Sequence, residues 1–381
     1  MRSLALSFGL LLIIFLMVIS PSTLPVVANP QATPPPTPET TLSPEERIAL
    51  EEAIQAAVAS HREEVLAFLI FDVVVEHVDI STDRMWALAW LHFIDPDTGE
   101  VIPTEPGLAL AHRVGDEWQV TLQAEAQWNM QLALTPTDLL SPVSRSLAWH
   151  VPLPLPVEGL VFRGYLLPWP AGRSVRLTRS ISHTSSNERY AFDFADGTMF
   201  PLHASKGGKV AYVVWNYPNG YYDGNCNHAN YVVVEDTTTS PTTYAVYLHL
   251  AENSVPEPLR TRGATVYQGQ FLGNVDDTGC STGHHVHFQV HTSPYAWYGT
   301  SVDITFDDVD INGGRPRTPS EASSPSCFPS PCQGRYYYVS GNVTEATPPT
   351  GEILMPVSGS AVLSNTLQIL GQAEDADNGL S

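Results

Sequence analysis

The sequence predicts a mainly β protein: an antiparallel β domain over residues 157–312, preceded by a small α+β domain over residues 44–135. Three observations carry this. Residues 157–312 run strand after strand, with turn signals between them. Residues 44–135 open on one capped helix and continue as a meander of strand-like runs. Proline-rich stretches at 29–43 and 136–156 separate these blocks from their neighbours.

The first 28 residues read as a secretory signal. Arg2 supplies a basic start, an apolar run follows from Leu4 to Ile19, and small residues near Ala28 suit cleavage. That run is shorter than the roughly 20 residues a spanning helix prefers, so cleavage is expected rather than anchoring. Residues 29–43 are rich in Pro and Thr and form a linker, because they offer too little apolar surface to fold. Ser43 is then an N-cap, Pro44 a first helical residue and Glu46 the third position of a capping box. Apolar residues recur at helical spacing from Ile48 to Val65.

Strands are expected at Leu69–Val78, Met85–Ile94, Gly107–His112 and Trp118–Leu122, with a turn at Asp95-Pro-Asp-Thr-Gly99. His61, His77, His92 and His112 are scattered through this part and read as surface or core residues. In the larger domain the clearest strands are Val210–Trp215, Asn230–Glu235, Thr243–His249 and His285–His291. Residues 313–347 read as a loop-rich linker. Residues 348–381 look like the first strands of an immunoglobulin-like β-sandwich, which needs about seven strands to close.

The charge balance is acidic, with 40 Asp and Glu against 18 Lys and Arg, and the lysines are Lys206 and Lys209 alone. Phosphate backbones are bound by clustered basic residues, so nucleic acid is excluded as a partner, as is charge-driven binding to an anionic membrane. Four cysteines after a signal sequence point to disulfides. Cys327 and Cys332 frame a short loop and are expected to pair, leaving Cys226 with Cys280. A four-cysteine zinc site would show two close Cys-x-x-Cys pairs, which are absent here.

Eight of the 13 histidines lie between His183 and His291. In STGHHVHFQV, His285 and His287 stand two apart in a strand, so their side chains share a face, roughly 6–7 Å apart at the backbone. One can bind a metal while the other reaches a water on it; His284 points the other way. His249 ends the strand of YAVYLHLAEN, on the face of Tyr247 by period two. His183 and Asp193 are ten residues apart, a loop and then a strand. A carboxylate between Phe192 and Phe194 is costly unless paired or ligated. Two histidines and a carboxylate fit a catalytic zinc site with one position open to water.

The order His183, Asp193, then YLHL, then GHHVHF resembles the lysostaphin and LytM-like zinc endopeptidases, the duplicated hybrid motif metallopeptidases, over about residues 160 to 292. GTMFPLHASKGGKVAYV, Asn230-Tyr-Val-Val-Val234 and QGQFLGNVDDTGC resemble further family segments. The resemblance implies a duplicated hybrid motif fold and one zinc ion held by His183, Asp193 and His287. It makes His285 the general base and His249 a second catalytic histidine. It also implies peptidoglycan peptides as substrate, with the same chemistry on extracellular proteins, or a non-catalytic wall-binding relative, as alternatives. There are departures. His183 and Asp193 are further apart than in the family's shortest form, His284 replaces a common proline, and Asp276 and Asp277 stand where small residues are frequent. The loop from Tyr217 to His228 is expected to wall the cleft, and His203, His228 and His291 to be structural or rim residues.

Overall fold

The helix announced by Ser43 forms as α1, Pro44–Ser60, with both reciprocal hydrogen bonds of the Ser43–Glu46 capping box in place. Its buried stripe, Leu50, Ile54 and Val58, packs on a four-stranded antiparallel sheet of β1 (Asp72–Ile80), β2 (Trp86–Ile94), β3 (Gly107–Val114) and β4 (Glu117–Leu122), in that order. This description comes from a computed structural model covering residues 42–140, 160–223, 226–294, 297–343, 350–355 and 370–374. The signal and most of the 29–43 linker lie outside the described residues, as does most of the 136–156 connector. All described residues belong to one unit, Thr40–Ser381.

Two readings of this region change. The apolar run from Leu69 begins instead in a short helix, α2 (Leu66–Ile70), and β1 starts at Asp72. A continuous apolar run does not by itself distinguish strand from buried helix, and Ala67 and Phe68 join the core under α1. A second short helix, α3 (Trp128–Leu134), had no signal strong enough to read. Its Trp128 and Leu132 cover the opposite face of the sheet at Leu88 and Leu110.

The larger sheet has eight strands. In chain order they are β6 (Ser174–Arg179), β7 (Phe192–Ala195), β9 (Gly208–Val214), β10 (Tyr231–Asp236), β11 (Thr243–Leu248), β12 (Thr265–Val266), β14 (Val286–His291) and β16 (Tyr337–Val339). The spatial order is β12-β9-β10-β11-β14-β7-β6-β16, antiparallel throughout. Two small pairs complete the domain: β5 (Phe162–Tyr165) with β15 (Ile304–Phe306), and β8 (Pro201–His203) with β13 (Phe271–Asn274). The protein is mainly β, as expected.

Period two sorts this sheet. Phe192 and Phe194 on β7, and Val286, Phe288 and Val290 on β14, enter one large core with Leu177, Val232, Tyr247 and Phe306. The alternate positions, Asp193, His287, Gln289 and His291, are buried on the other face. Register places His287 directly opposite Asp193 on one side and Leu248 on the other.

Residues 313–343, read as a linker, contribute to this domain: β16 adds the edge strand beside β6, and Glu321 reaches the segment before His183. The cysteines form the bonds Cys226–Cys280 and Cys327–Cys332. At residue 350 a two-stranded antiparallel pair follows, β17 (Thr350–Met355) with β18 (Leu370–Glu374). No helix among the described residues is long and apolar enough to cross a membrane.

Candidate metal centre and active site

Each sequence-predicted residue arrives by a different local device. Asp193 sits mid-strand with both aromatic neighbours turned to the core, so its carboxylate has only the opposite face to occupy. His287 is brought beside it by strand pairing. His183 lies in the loop after β6, and that loop is pinned from a distance. Ser180 and Ser182 each donate backbone N–H and hydroxyl to the buried Glu321 carboxylate, at 2.6–3.1 Å. The Nδ1–H of His183 donates to Ser180 O at 2.6 Å, leaving Nε2 free and 3.0 Å from Asp193 Oδ2.

His287 is oriented in the reverse sense. Its Nδ1 faces Asp193 Oδ1 at 3.1 Å, while Nε2 faces Gln289 Oε1 at 3.4 Å and the Tyr298 hydroxyl at 3.5 Å. Gln289 donates its amide to Gly299 O at 2.9 Å, which turns its oxygen towards the ring. Such outer partners fix which ring nitrogen is available to a metal.

His249 does not share the strand face of Tyr247. The strand ends at Leu248, and His249 has φ 64°, a left-handed conformation unusual for a side-chain-bearing residue. Strain of this kind costs on the order of 1–3 kcal/mol and persists where the surroundings dictate it. Here the ring is locked by Nδ1–H donating to Thr278 O at 2.6 Å. His285 has the same tautomer, since Gly283 O, 2.9 Å from its Nδ1, can only accept. The two rings lie 4.6 Å apart between centroids, with both Nε2 atoms left to face the cluster. Cys226–Cys280 ties the tyrosine loop to the turn leading to this pair. Gly279 has φ +86° there, and any Cβ on it would stand 2.7 Å from Ala229 Cβ.

A further residue enters from outside this domain. Glu105 belongs to the β2–β3 loop of the four-stranded sheet. Its Oε1 lies 2.6 Å from His287 Nδ1, 3.2 Å from His249 Nε2 and 3.8 Å from His285 Nε2, and its Oε2 lies 3.9 Å from His183 Nε2. The preceding residue, Thr104, donates its hydroxyl to Asp193 Oδ2 at 2.5 Å. The loop is held through its main chain. Thr104 N–H donates to Thr282 Oγ1, Thr282 N–H returns to Thr104 O, and Thr282 and Thr178 hydroxyls donate to Ile102 O and Pro103 O. Sequence reading passed over Glu105 because a loop carboxylate has no periodicity, and its partners are 78–182 residues away in the chain.

The electrostatics follow from burial and crowding. Burial disfavours charge on His287, but Glu105 and Asp193 override it and hold the imidazole well above its ordinary pKa. Burial and the charge of Glu105 push the Asp193 carboxyl upward, while His183 and His287 hold it lower than usual on balance. Burial and neighbouring His285 keep His249 below its ordinary value. Glu188, which accepts from Tyr298 Oη at 2.7 Å, is raised by burial and by Glu105.

The donor set fits zinc. Ligand atoms about 2.0–2.1 Å from a tetrahedral ion stand about 3.3–3.4 Å apart, and the donors of His183, Asp193, His287 and Glu105 all lie within 4.8 Å of one another. Two buried atoms aimed into the cluster, Glu105 Oε2 and His285 Nε2, have no hydrogen-bond partner among the described residues. A cation satisfies such orphans. His284 points away, 3.6–3.7 Å from Asp277 and Asp276. His203 packs on Phe271 and His228 stacks on Tyr217, while His291 stacks on Tyr244. None of these three, nor His61, His77, His92 or His112, enters the cluster. The tyrosine loop does line the adjoining cleft, at Tyr222, Cys226 and Asn227, with Trp90, Leu248 and Trp297.

Fold and site together define a peptidase domain with a candidate metal centre. Residues 187–303 match the model of peptidase family M23, which supports the resemblance to the lysostaphin and LytM-like enzymes. The match takes in Asp193, His249, His285 and His287, while His183 lies just before it. The chain is similar to the catalytic domain of the prophage-encoded M23 protein EnpA from Enterococcus faecalis, at 20% identity over 36% of this chain and 87% of that one, with a TM-score of 0.23. It is similar to a zinc containing peptidase from Vibrio cholerae at 15% identity, covering 69% of this chain and 65% of that one, TM-score 0.24. It is also similar to the catalytic domain of lysostaphin from Staphylococcus simulans at 22% identity, covering 37% and 85%, TM-score 0.22. No curated protein matches the chain.

Proposed function

We propose that the protein is a secreted zinc metalloendopeptidase that hydrolyses peptide bonds in bacterial peptidoglycan. The observation that carries this reading is the facing of two groups: a His183–Asp193–His287 donor cluster, and the Nε2 atoms of His249 and His285 turned towards it. His183 Nε2, an Asp193 oxygen and His287 Nδ1 are the atoms that would hold the ion. Zinc in that position supplies a Lewis acid for the scissile carbonyl and lowers the pKa of water towards about 7. His249 and His285 keep their Nδ1 protons on backbone carbonyls, so each offers Nε2 to take a proton from the attacking water and return it to the leaving amine. The match of residues 187–303 to peptidase family M23 supports wall peptide as the substrate class, and the signal read at the N-terminus and two disulfides support action outside the cytoplasm.

The test measures zinc content of the full chain and of His287→Ala, and release of peptides from purified sacculi by the Glu105→Ala chain, whose cleft is cleared of the loop carboxylate. About one zinc per wild-type chain, lost in His287→Ala, with peptide release, supports the reading. A wild-type chain without zinc sinks it. Zinc with cleavage of a protein such as casein and not of sacculi moves the substrate to extracellular proteins.

A further inference from the structure

A second group of metal-binding side chains lies outside the centre described above. Asp276, Asp277 and His284 each bring a ligand atom within 4.8 Å of the others, and none of them belongs to the donor groups around Glu105. His284 Nε2 stands 3.7 Å from Asp276 Oδ1 and 3.6 Å from Asp277 Oδ1. These are positions at which the chain departs from the pattern it resembles: two carboxylates where small residues are frequent, and an imidazole where proline is common. The fold brings those departures to one point. We propose that Asp276, Asp277 and His284 bind a second divalent cation, of the zinc class, which braces the turn that holds His249 and His285.

The three donors are spaced for an ion and not for one another. Both separations are too long for a hydrogen bond, and both lie close to the about 3.3–3.4 Å between ligand atoms of a tetrahedral zinc ion. The Asp276 side chain is 1% exposed. Its Oδ2 accepts from Gly220 N–H at 3.0 Å, which leaves Oδ1 aimed at His284. Burial and the charge of Asp277 push this carboxyl up to about 6. No lysine or arginine pairs with either carboxylate among the described residues, and a divalent cation supplies that missing counter-charge. An imidazole beside two carboxylates favours zinc and its neighbours over calcium and magnesium, whose shells are built of oxygen.

The place of the cluster in the fold gives the ion its role. Asp276 N–H donates to His249 O at 2.7 Å, and Asp276 O accepts from His285 N–H at 3.3 Å, so residues 276 and 285 are the two ends of one turn. Within it, Thr278 O holds Nδ1 of His249 and Gly283 O holds Nδ1 of His285. A cation on Asp276, Asp277 and His284 ties those ends together from the outer side. It also steadies the tyrosine loop, where Gly220 donates to Asp276 and a Cβ would stand 3.5 Å from Asp277 Oδ1. The ion touches no substrate; it sets the turn that aims both histidines.

Asp277 and His284 are 33% and 36% exposed, so water completes the shell and the site holds its ion less tightly than the buried centre. It is therefore read by titration with added zinc and not by the metal a purified chain retains. Equilibrium dialysis against zinc compares the full-length wild type with His284→Ala and Asp277→Asn, and circular dichroism melts check that each is folded. The expected result is that wild type takes up one zinc equivalent more than either variant at the same free zinc, the affinity for that equivalent falling about tenfold or more in each. A second arm works in His287→Ala, where the first centre is disabled. Added zinc is expected to raise the melting temperature of His287→Ala and not that of His287→Ala combined with His284→Ala, whatever becomes of the first centre. Equal zinc uptake by wild type and both variants overturns the proposal. So does a cation held equally by wild type and His284→Ala, as calcium on the carboxylates alone would be.

Discussion

The two sheets of this protein were built by the same rule and put it to different ends. In the eight-stranded sheet, alternation sends Phe192, Phe194, Val286 and Phe288 to the core and leaves Asp193 and His287 on the reverse face, so chemistry is written into the strands. In the four-stranded sheet both faces are occupied by packing, one under α1 and one under Trp128 and Leu132. Its contributions to the site, Thr104 and Glu105, come from a loop. Strand-borne groups are fixed by pairing and persist; a loop-borne group is available only while its sheet stays docked.

The comparison is broken most sharply at a strand ligand. Asp193→Ala removes the carboxylate that faces both His183 and His287, and metal affinity is expected to fall by more than about 100-fold with loss of peptide release, read by zinc competition and by sacculus digestion. A result within a few-fold of wild type would remove Asp193 from the centre.

Next in size is Glu321→Ala. Four donors of Ser180 and Ser182 lose their acceptor in a buried site, and a destabilisation of about 3–5 kcal/mol is expected by denaturant titration, with weaker zinc retention through the loosened His183. An unchanged midpoint would show that the segment after residue 312 is dispensable.

Ile54→Ala sharpens the contrast from the other side. A cavity under α1 is expected to cost about 2–4 kcal/mol in the N-terminal sheet alone, splitting the unfolding curve into two transitions. A single shifted transition would mean that the sheets unfold as one.

The smallest effect concerns pH. Burial lowers His291 from 6.5 to about 4, and its Nδ1 accepts from Ser293 N–H while Nε2–H faces Trp297 O. Its folded pKa lies below its unfolded one, so the unfolded chain takes the proton first as pH falls. Stability is whole above about pH 6.5 and declines towards pH 4, by about 2 kcal/mol at pH 5. His291→Phe is expected to flatten that slope in melts across the range; an unchanged slope would assign the acid sensitivity elsewhere.

The sequence made the strand-borne part of the site readable because period two needs only neighbours: His285, His287 and Asp193 all announce themselves within a few residues. His249 was readable as a residue but not in its geometry, since nothing in YLHL signals a left-handed turn at that position. Glu105, Glu321 and Gln289 were silent. Glu105 and Glu321 act through contacts that exist only after distant segments meet, whereas Gln289 stands two residues from His287 on the same strand face, and a lone amide there carries no signal of its role.

The order of these residues along the chain has a consequence for synthesis. Glu105 is made before any of the histidines it faces, and Glu321 is made 141 residues after the Ser180 it steadies. A chain emerging from its N-terminus therefore carries the Glu105 carboxylate before the histidines it faces and gains the Glu321 brace for His183 only afterwards. Translation itself orders the events, and His183 takes its held position only once the later segment has folded back on Ser180 and Ser182.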